Sequence, residues 1–349
     1  MNIVKKIYNR DILAALDFGA ESVVVLIAEK KAGGGLQIIG AGDAASHGVK
    51  DGEVVHTGDA AESIIEALKK AENSSGFRVE KLYFNFDDAQ MQSVVSSGSK
   101  LLGGEGEIQG SDIDEARKTA ERLVGDFNKS ILYSREIRYV LDGRDDVTDP
   151  VGAFGKKLDV LVHVLQARSS LCEGWQTLMK RSQIARCMAV PSSWSTAYGV
   201  LPDEDRVKKR LIVDLGNDFL NSFIFVNNRI SACKVFLNSP ADGEKVPAER
   251  LIAVTDLLAS HPDTREMLLT GDQAGDKAVT ESFGGAAQIP FRVASPQGFA
   301  KLNFPKYASV AGLLYVADEM ESKMPILRAE KGIFSNVREK TISFINEYF

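Results

Sequence analysis

Apolar residues in this chain come in short, near-continuous runs closed by glycine turns, the pattern of strands buried on both faces. The first run is I-L-A-A-L-D-F (12–18), ending in Asp17-Phe18-Gly19. The β-branched S-V-V-V-L-I-A (22–28) is predicted to pair back on it as a hairpin, and L-Q-I-I-G-A-G (36–42) to add a third strand after Gly33, Gly34 and Gly35. The period then changes. Ile64, Ile65, Leu68 and Ala71 recur at helical spacing, with Asp59 placed to N-cap the helix. K-L-Y-F-N-F (81–86) alternates as a strand.

Residues 87–160 differ in texture. S-S-G-S and L-L-G-G-E-G-E precede a helix whose start, S-D-I-D-E, offers Ser111 as N-cap and Glu115 in its first turns. A strand is predicted at 135–141, and L-D-V-L-V-H-V-L (158–165) reads as a return to strand. The stretch is therefore a small α+β insertion. Beyond it the pattern predicts a helix over 171–184, strands at 210–216, 219–226, 230–237 and 266–271, and helices over 247–260 and 307–319.

Two segments repeat. L-A-A-L-D-F-G-A-E-S-V-V-V-L-I-A and R-L-I-V-D-L-G-N-D-F-L-N-S-F-I-F each read buried strand, Asp-x-Gly, hairpin partner, with a third strand and a helix to follow. A repeat at half-chain separation predicts two related lobes with facing turns and a cleft between them. Such turns can grip a phosphate chain and its metal, with Asp17 and Asp214 nearest the metal. An Asp-x-Gly after a strand is also a common turn with no ligand.

Composition narrows the classes. The 349 residues carry a formal net charge of −6, which argues against a nucleic-acid footprint. Cys172, Cys187 and Cys233 form no CxxC pair, and His47, His56, His163 and His261 show no HxxxH spacing, so neither a metal site nor a disulfide framework is expected. No apolar run reaches the roughly 20 residues of a membrane-spanning helix, and no signal peptide is legible, so the chain is expected in the cytoplasm. Trp175 and Trp194 are expected in the core, and P-D-E-D-R-V-K-K-R (202–210) as a solvated turn. No catalytic residue is named, because no Ser-His-Asp arrangement or acid/base pair is legible.

Several of these stretches resemble the bacterial cell-division family FtsA, of the actin-like ATPase superfamily. D-F-G-A-E-S-V (17–23) looks like the first phosphate motif, and I-I-G-A-G-D-A-A-S-H-G-V-K-D-G-E-V (38–54) like the stretch after the third strand. D-P-V-G-A-F-G-K-K-L-D-V-L-V-H (149–163) is similar to the segment that closes the family's inserted subdomain. L-L-T-G-D (268–272) corresponds to the adenosine motif, and Y-A-S-V-A-G-L-L (307–314) to the final helix. PilM-type pilus scaffolds share the insertion and the length but match 38–54 and 149–163 less well. The resemblance implies an α/β, actin-like (ribonuclease H-like) two-lobed fold: a first lobe over 1–86 and 161–205, the insertion over 87–160 and a second lobe over 206–319. A linker (320–332) and a membrane-targeting helix (333–349) would follow. An ATP site would use Asp17, Gly19, Ser22, Asp214, Gly216 and Gly271, with Mg2+ near Asp17 and Asp214.

The departures are specific. The family follows its second Asp-x-Gly with further glycines and a threonine, which let backbone amides approach phosphate. Here stand Asn217, Asp218 and Phe219. At about 4 Å and an effective dielectric near 20, one carboxylate beside a phosphate charge costs on the order of 4 kcal/mol, roughly a thousandfold in affinity. Glu21 adds charge in the first turn, although Ser22 can still donate, and Asp272 replaces the second glycine of the adenosine motif. Between the strands ending at Leu237 and beginning near Met267 the family also inserts its subdomain 2B, which helps cover adenine and receives the tail of FtsZ; residues 238–266 are too few for it. The expectation is a pseudo-ATPase with no ATP–Mg2+ or weak ATP–Mg2+. Implied partners are division-ring proteins, FtsZ, itself or an FtsA paralogue in a filament, and the cytoplasmic membrane surface. An active actin-like ATPase and a PilM-like cytoplasmic scaffold remain the alternatives.

The end of the chain carries one helical stripe: Phe334, Val337, Thr341, Phe344 or Ile345, and Tyr348, widened by Ile333, Ile342 and Phe349. Such a helix docks on its own protein or lies on a membrane. Lys331, Arg338 and Lys340 are balanced by Glu339 and Glu347, so lipid binding would rest on Ile333, Phe334, Val337, Phe344, Ile345, Tyr348 and Phe349.

Overall fold

Strand β1 (Ile12–Phe18) alternates between two cores: Leu13 and Ala15 face one, Ala14 and Leu16 the other. Burial on both faces explains why no polar residue interrupts the run before Asp17. The computed structural model describes residues 12–184, 186–238 and 246–323. In it β1 pairs antiparallel with β2 (Ser22–Lys30), and β2 with β3 (Leu36–Ala45). A small hairpin of β4 (Val49–Lys50) and β5 (Glu53–Val54) leads to helix α1 (Thr57–Ser75), and β6 (Lys81–Phe86) returns parallel to β1.

The chain then builds a separate sheet. β7 (Gln92–Glu107), α2 (Gly110–Leu123), β8 (Lys129–Leu141), β9 (Arg144–Val147) and β10 (Phe154–Arg168) give the order β7-β10-β8-β9, with α2 packed through Ala116 and Ala120. The strand read at 158–165, which the expected boundary at 160 divides between insertion and first lobe, belongs here as a whole. β10 pairs with β7 as far as Gln166 and with β8 as far as Arg168, so the inserted sheet runs past residue 160 to Arg168. The sequence hid this because β10 serves two cores: Val160, Val162 and Val164 pack in the insertion, whereas Leu165 packs in the main body.

α3 (Ser169–Arg181) and β11 (Arg186–Pro191) complete the first sheet, and α4 (Ser192–Val200) follows. The second lobe adds β12 (Arg210–Leu215), β13 (Phe219–Val226), β14 (Arg229–Leu237), α5 (Ala248–Ser260), β15 (Met267–Thr270), α6 (Lys277–Ala287), β16 (Phe291–Val293) and α7 (Ala308–Lys323). The first sheet is ordered β11-β6-β1-β2-β3 and the second β14-β13-β12-β15-β16. Reversed, the second matches the first strand for strand, with β15 parallel to β12 as β6 is to β1. The repeat in the sequence is thus a repeat of topology.

Helices α4 and α7 lie between the two sheets, in a core that also takes Leu26 and Tyr83 from the first and Phe223 and Phe225 from the second. α1 and α3 cover the outer face of the first sheet, α5 and α6 that of the second. Every residue of α4 is buried, so W-S-T-A-Y-G-V-L carries no amphipathic stripe. The two central helices touch backbone to backbone: a Cβ on Gly312 would lie 1.7 Å from the Ser195 carbonyl oxygen, and one on Gly199 2.0 Å from that of Ala308.

Local details depart from expectation. α1 starts at Thr57 after His56, and Asp59 sits in its first turn, where a negative charge complements the helix dipole without capping. α2 is capped by a box of Gln109 and Asp112, whose side chain accepts the Gln109 N–H at 2.9 Å; Ser111 and Glu115 lie inside the helix. α7 continues to Lys323, because Glu321 accepts from Lys81 at 2.6 Å and from the Tyr83 hydroxyl at 2.8 Å. The helix therefore covers 320–323, which the sequence reading placed in the linker. The remainder of that linker and the helix over 333–349 lie outside the described residues. The run 202–210 is solvated only in part: Lys208 pairs with Asp205, Lys209 with Asp263 and Arg210 with Glu266, but Arg206 is buried, over the Tyr198 ring and donating to the Leu201 carbonyl at 3.1 Å.

The seam between α4 and α7 leaves no room for a side chain. Gly312→Val is expected to cost roughly 3 kcal/mol, at the upper end for overpacking, read as a lowered urea midpoint. Gly285→Ala on α6, where an added Cβ meets nothing within 4 Å, is expected to be neutral or to stabilise.

Candidate functional site

The two Asp-x-Gly turns face each other across the cleft between the lobes. Equivalent register puts Asp17 opposite Val24 on β2, and Asp214 opposite Asn221 on β13. Of the residues named from the sequence, Asp17, Gly19, Asp214, Gly216 and Gly271 line the cleft. Ser22 does not: it is exposed at the start of β2, and its carbonyl accepts the Gly19 N–H at 3.0 Å to close the first turn. Gly271 is required by packing. Its φ is +93°, and a Cβ would stand 2.5 Å from Asp214 Oδ1 and 2.7 Å from the Leu215 backbone.

The cleft holds more carboxylates than the turns alone supply. Asp87, Asp218 and Asp272 join Asp17 and Asp214, and Lys306 is the one cation among the described lining residues. Asp87 follows the buried end of β6, and its Oδ2 accepts from Asn221 Nδ2 at 3.0 Å. Asp214 Oδ2 accepts from Thr196 Oγ1 at 2.6 Å, and Asp17 accepts from the Ser309 hydroxyl. Ser192 opens α4 and lines the cleft together with Asp87.

Burial dominates the electrostatics. It pushes Asp214 up to about 7, against the Thr196 hydrogen bond and with further push from Asp87, Asp17 and Asp272. It pushes Asp87 up to about 6, opposed by Asn221 and Ser192. Asp17 is raised by burial despite Ser309. Asp218 is raised by burial and by Asp51 and Asp272, and Asp272 by burial, which the Asn217 N–H and Lys306 oppose. No cation offsets the desolvation of Asp214, Asp87 or Asp17, so the proton does. Among the described residues, no three His, Cys, Asp or Glu side chains are grouped to hold a metal ion.

Shape works in the same direction. Phe219 lines the cleft beside Gly52 of the first lobe's β4–β5 turn. The volume left is about 110 Å3, below the roughly 300–1,000 Å3 of small-molecule sites. The described lining thus offers little enclosed room and an excess of carboxylates over cations.

Sequence reasoning named Asp17, Asp214, Asp218 and Asp272 but missed Asp87, Asn221, Thr196, Lys306 and Ser309. A signal for Asp87 was present: K-L-Y-F-N-F-D-D is a buried strand closed by a carboxylate, as Asp17 and Asp214 close theirs.

Comparison with known proteins adds what the chain is similar to. Residues 89–166 match the SHS2 domain inserted in FtsA. The cell division protein FtsA of Pseudomonas aeruginosa is 24% identical over 242 residues, covering 69% of this chain and 57% of that protein. FtsA of Bacillus subtilis is 24% identical over 245 residues, covering 68% and 53%. This chain is FtsA-like. It spans about half the length of the curated relatives it matches. Among solved structures, a chain of the PilM-PilN type IV pilus biogenesis complex superposes with a TM-score of 0.62 at 13% identity, over 87% of this chain and 98% of that one. The ethanolamine utilization protein EutJ from Carboxydothermus hydrogenoformans gives 0.50 at 11% identity, over 88% and 90%. At these identities the likeness shows the fold alone, and the fold of this FtsA-like chain is actin-like.

The raised carboxylates fix the sign of a pH dependence. Asp214 and Asp87 bind more protons folded than unfolded between pH 4 and 7, so stability falls as pH rises through that window. From the value near 7 for Asp214, unfolding free energy is expected to drop by roughly 2 kcal/mol between pH 5.5 and 8. Urea midpoints across that range check it, and Asp214→Asn is expected to flatten the slope. A wild-type midpoint that does not change with pH would contradict the assignment.

Proposed function

We propose that this FtsA-like chain is a division scaffold and membrane adaptor whose nucleotide site is degenerate. The observation that carries the reading is the inserted sheet, whose residues 89–166 are similar to the domain inserted in FtsA. The cleft supports the second half of the reading. Its turn presents Asn217, Asp218 and Phe219, and its five carboxylates face a single lysine. Asp17, Gly19, Asp214, Gly216 and Gly271 then persist as the frame of the fold, and no residue is assigned a catalytic role. Between β14 and β15 the described residues hold one helix, α5, which supports the loss of subdomain 2B and with it of an FtsZ-tail site. The proposed partners are other division-ring proteins, a second copy or an FtsA paralogue, and the inner face of the cytoplasmic membrane. Residues 333–349 are the proposed anchor, resting on their sequence stripe alone.

A second reading is favoured by one observation. The likeness to the PilM–PilN complex chain spans 98% of that chain, a full-length match that the longer FtsA proteins do not give. On it the protein is a scaffold of a pilus or secretion assembly, without a lipid-bound helix.

Two measurements test the leading reading. Calorimetry is expected to find ATP–Mg2+ binding weaker than about 100 μM, since one misplaced carboxylate costs roughly a thousandfold; low-micromolar affinity sinks the degenerate site. The full chain is expected to float with anionic liposomes, and a chain ending at Glu330 to remain at the bottom of the gradient. Flotation of both shows that the last helix is not the anchor, and flotation of neither, with a fluorescent fusion absent from midcell, favours the second reading.

A further inference from the structure

Gly52 sits at the tip of the β4–β5 turn with φ at +79°, and a Cβ built on it would lie 2.7 Å from Phe219 Cζ and 3.0 Å from Cε2. The Phe219 ring therefore rests on bare backbone of the opposite lobe. Both ends of this contact are held rigidly. On the first lobe, Trp175 Nε1 donates to the Gly52 carbonyl at 2.8 Å, and the Trp175 ring stacks on Phe84 with centroids 5.7 Å apart. On the second, Asn238 straps the 216–218 turn: its Nδ2 donates to the Gly216 carbonyl at 2.5 Å and its N–H to that of Asp218 at 2.6 Å. Arg250 holds Asn238 in turn and donates to the Leu237 carbonyl at 2.8 Å. Beside the ring, the Asn221–Asp87 hydrogen bond also crosses between the lobes.

We propose that Phe219 on Gly52, with Asn221 on Asp87, is a latch that holds the two lobes closed without any ligand. A cleft walled by carboxylates would otherwise be driven apart by their mutual repulsion and by the gain from rehydrating them. The latch opposes this with an aromatic ring that water cannot replace and a neutral donor that hydrogen-bonds the Asp87 carboxyl on the other wall. It stands whether or not the cleft descends from a nucleotide site. Its consequence is a scaffold fixed in one interlobe arrangement, where a ligand-gated protein of this shape would alternate between two.

A double-mutant cycle with a shape measurement tests it on the full chain. Gly52→Ala carries backbone strain in any background, and the cycle with Phe219→Ala cancels that term. The expected coupling is about tenfold or more in the folded-to-unfolded ratio, with Gly52→Ala tolerated better once the ring is gone. Small-angle scattering is expected to show a larger radius of gyration for Phe219→Ala and for Asn221→Ala than for wild type; Phe219→Leu serves if the alanine variant does not fold. An additive cycle, or variants with unchanged scattering, overturns the latch. ATP–Mg2+ titration of the same variants separates the two ideas: an opened cleft that still rejects ATP leaves the latch intact and assigns the rejection to the carboxylates.

Discussion

Everything in this molecule is arranged around a backbone-to-backbone crossing. Helices α4 and α7 fill the space between two five-stranded sheets, and they fit only because Gly199 and Gly312 carry no side chains where they meet. The crossing sets how far apart the sheets stand, and so how wide the cleft at their strand ends can be. It also aims the start of each helix into that cleft. Ser192 at the head of α4 lines the cleft, and Ser309 at the head of α7 donates to Asp17. The packing in the centre and the hydrogen bonds at the rim are one arrangement, because the same two helices supply both.

What the rim achieves is containment of charge. Carboxylates this buried are costly when ionised, and the protein answers with neutral donors and with protons instead of cations. Thr196, Ser309 and Asn221 each donate to one carboxylate. Asp87 and Asp214 are nonetheless shifted up to about 6 and about 7. The described lining sets five carboxylates against one lysine, so a triphosphate would add like charge there.

The sequence showed the frame well and the joint poorly, for physical reasons. Strands buried on both faces leave continuous apolar runs, so β1, β12 and β13 were legible, and so was their repetition. The 158–165 run was legible as a strand, but the end of the insertion was not legible beyond 160, because pairing partners leave no mark on a strand's own pattern. Caps misled where a nearer carboxylate won: Asp112 engages the Gln109 N–H, and Ser111 has no such role. Asp218 and Asp272 were recognised because they stand where glycine was expected. Thr196, Asn221 and Ser309 could not be recognised, because they reach the cleft from elements distant in sequence and look like ordinary core or helix residues. Gly52 was invisible for the opposite reason. Its importance lies in what it lacks, and only the position of the Phe219 ring reveals it.

The inserted sheet is bound into the same joint. The Tyr133 hydroxyl on β8 accepts the Ile230 N–H of the second lobe at 3.0 Å, and Ser93 Oγ on β7 accepts that of Cys233 at 3.1 Å while lying 2.8 Å from His163 Nε2. Burial lowers His163 to about 4, so it stays neutral at cellular pH and adds no charge to this contact. On the other side, Arg135 of β8 pairs with Glu319 of α7 at 3.6 Å, and Glu319 also takes the Tyr198 hydroxyl of α4. The insertion thus grips β14 and the end of α7 together, while the rest of α7 lies in the central seam. A rotation of one lobe against the other would have to break the backbone bonds at Ile230 and Cys233 as well as the contacts across the cleft. Contacts in the centre and through the insertion join the lobes, and those across the cleft close its mouth. On the proposed scaffold reading, these contacts together would keep the inserted surface in a constant position relative to both lobes.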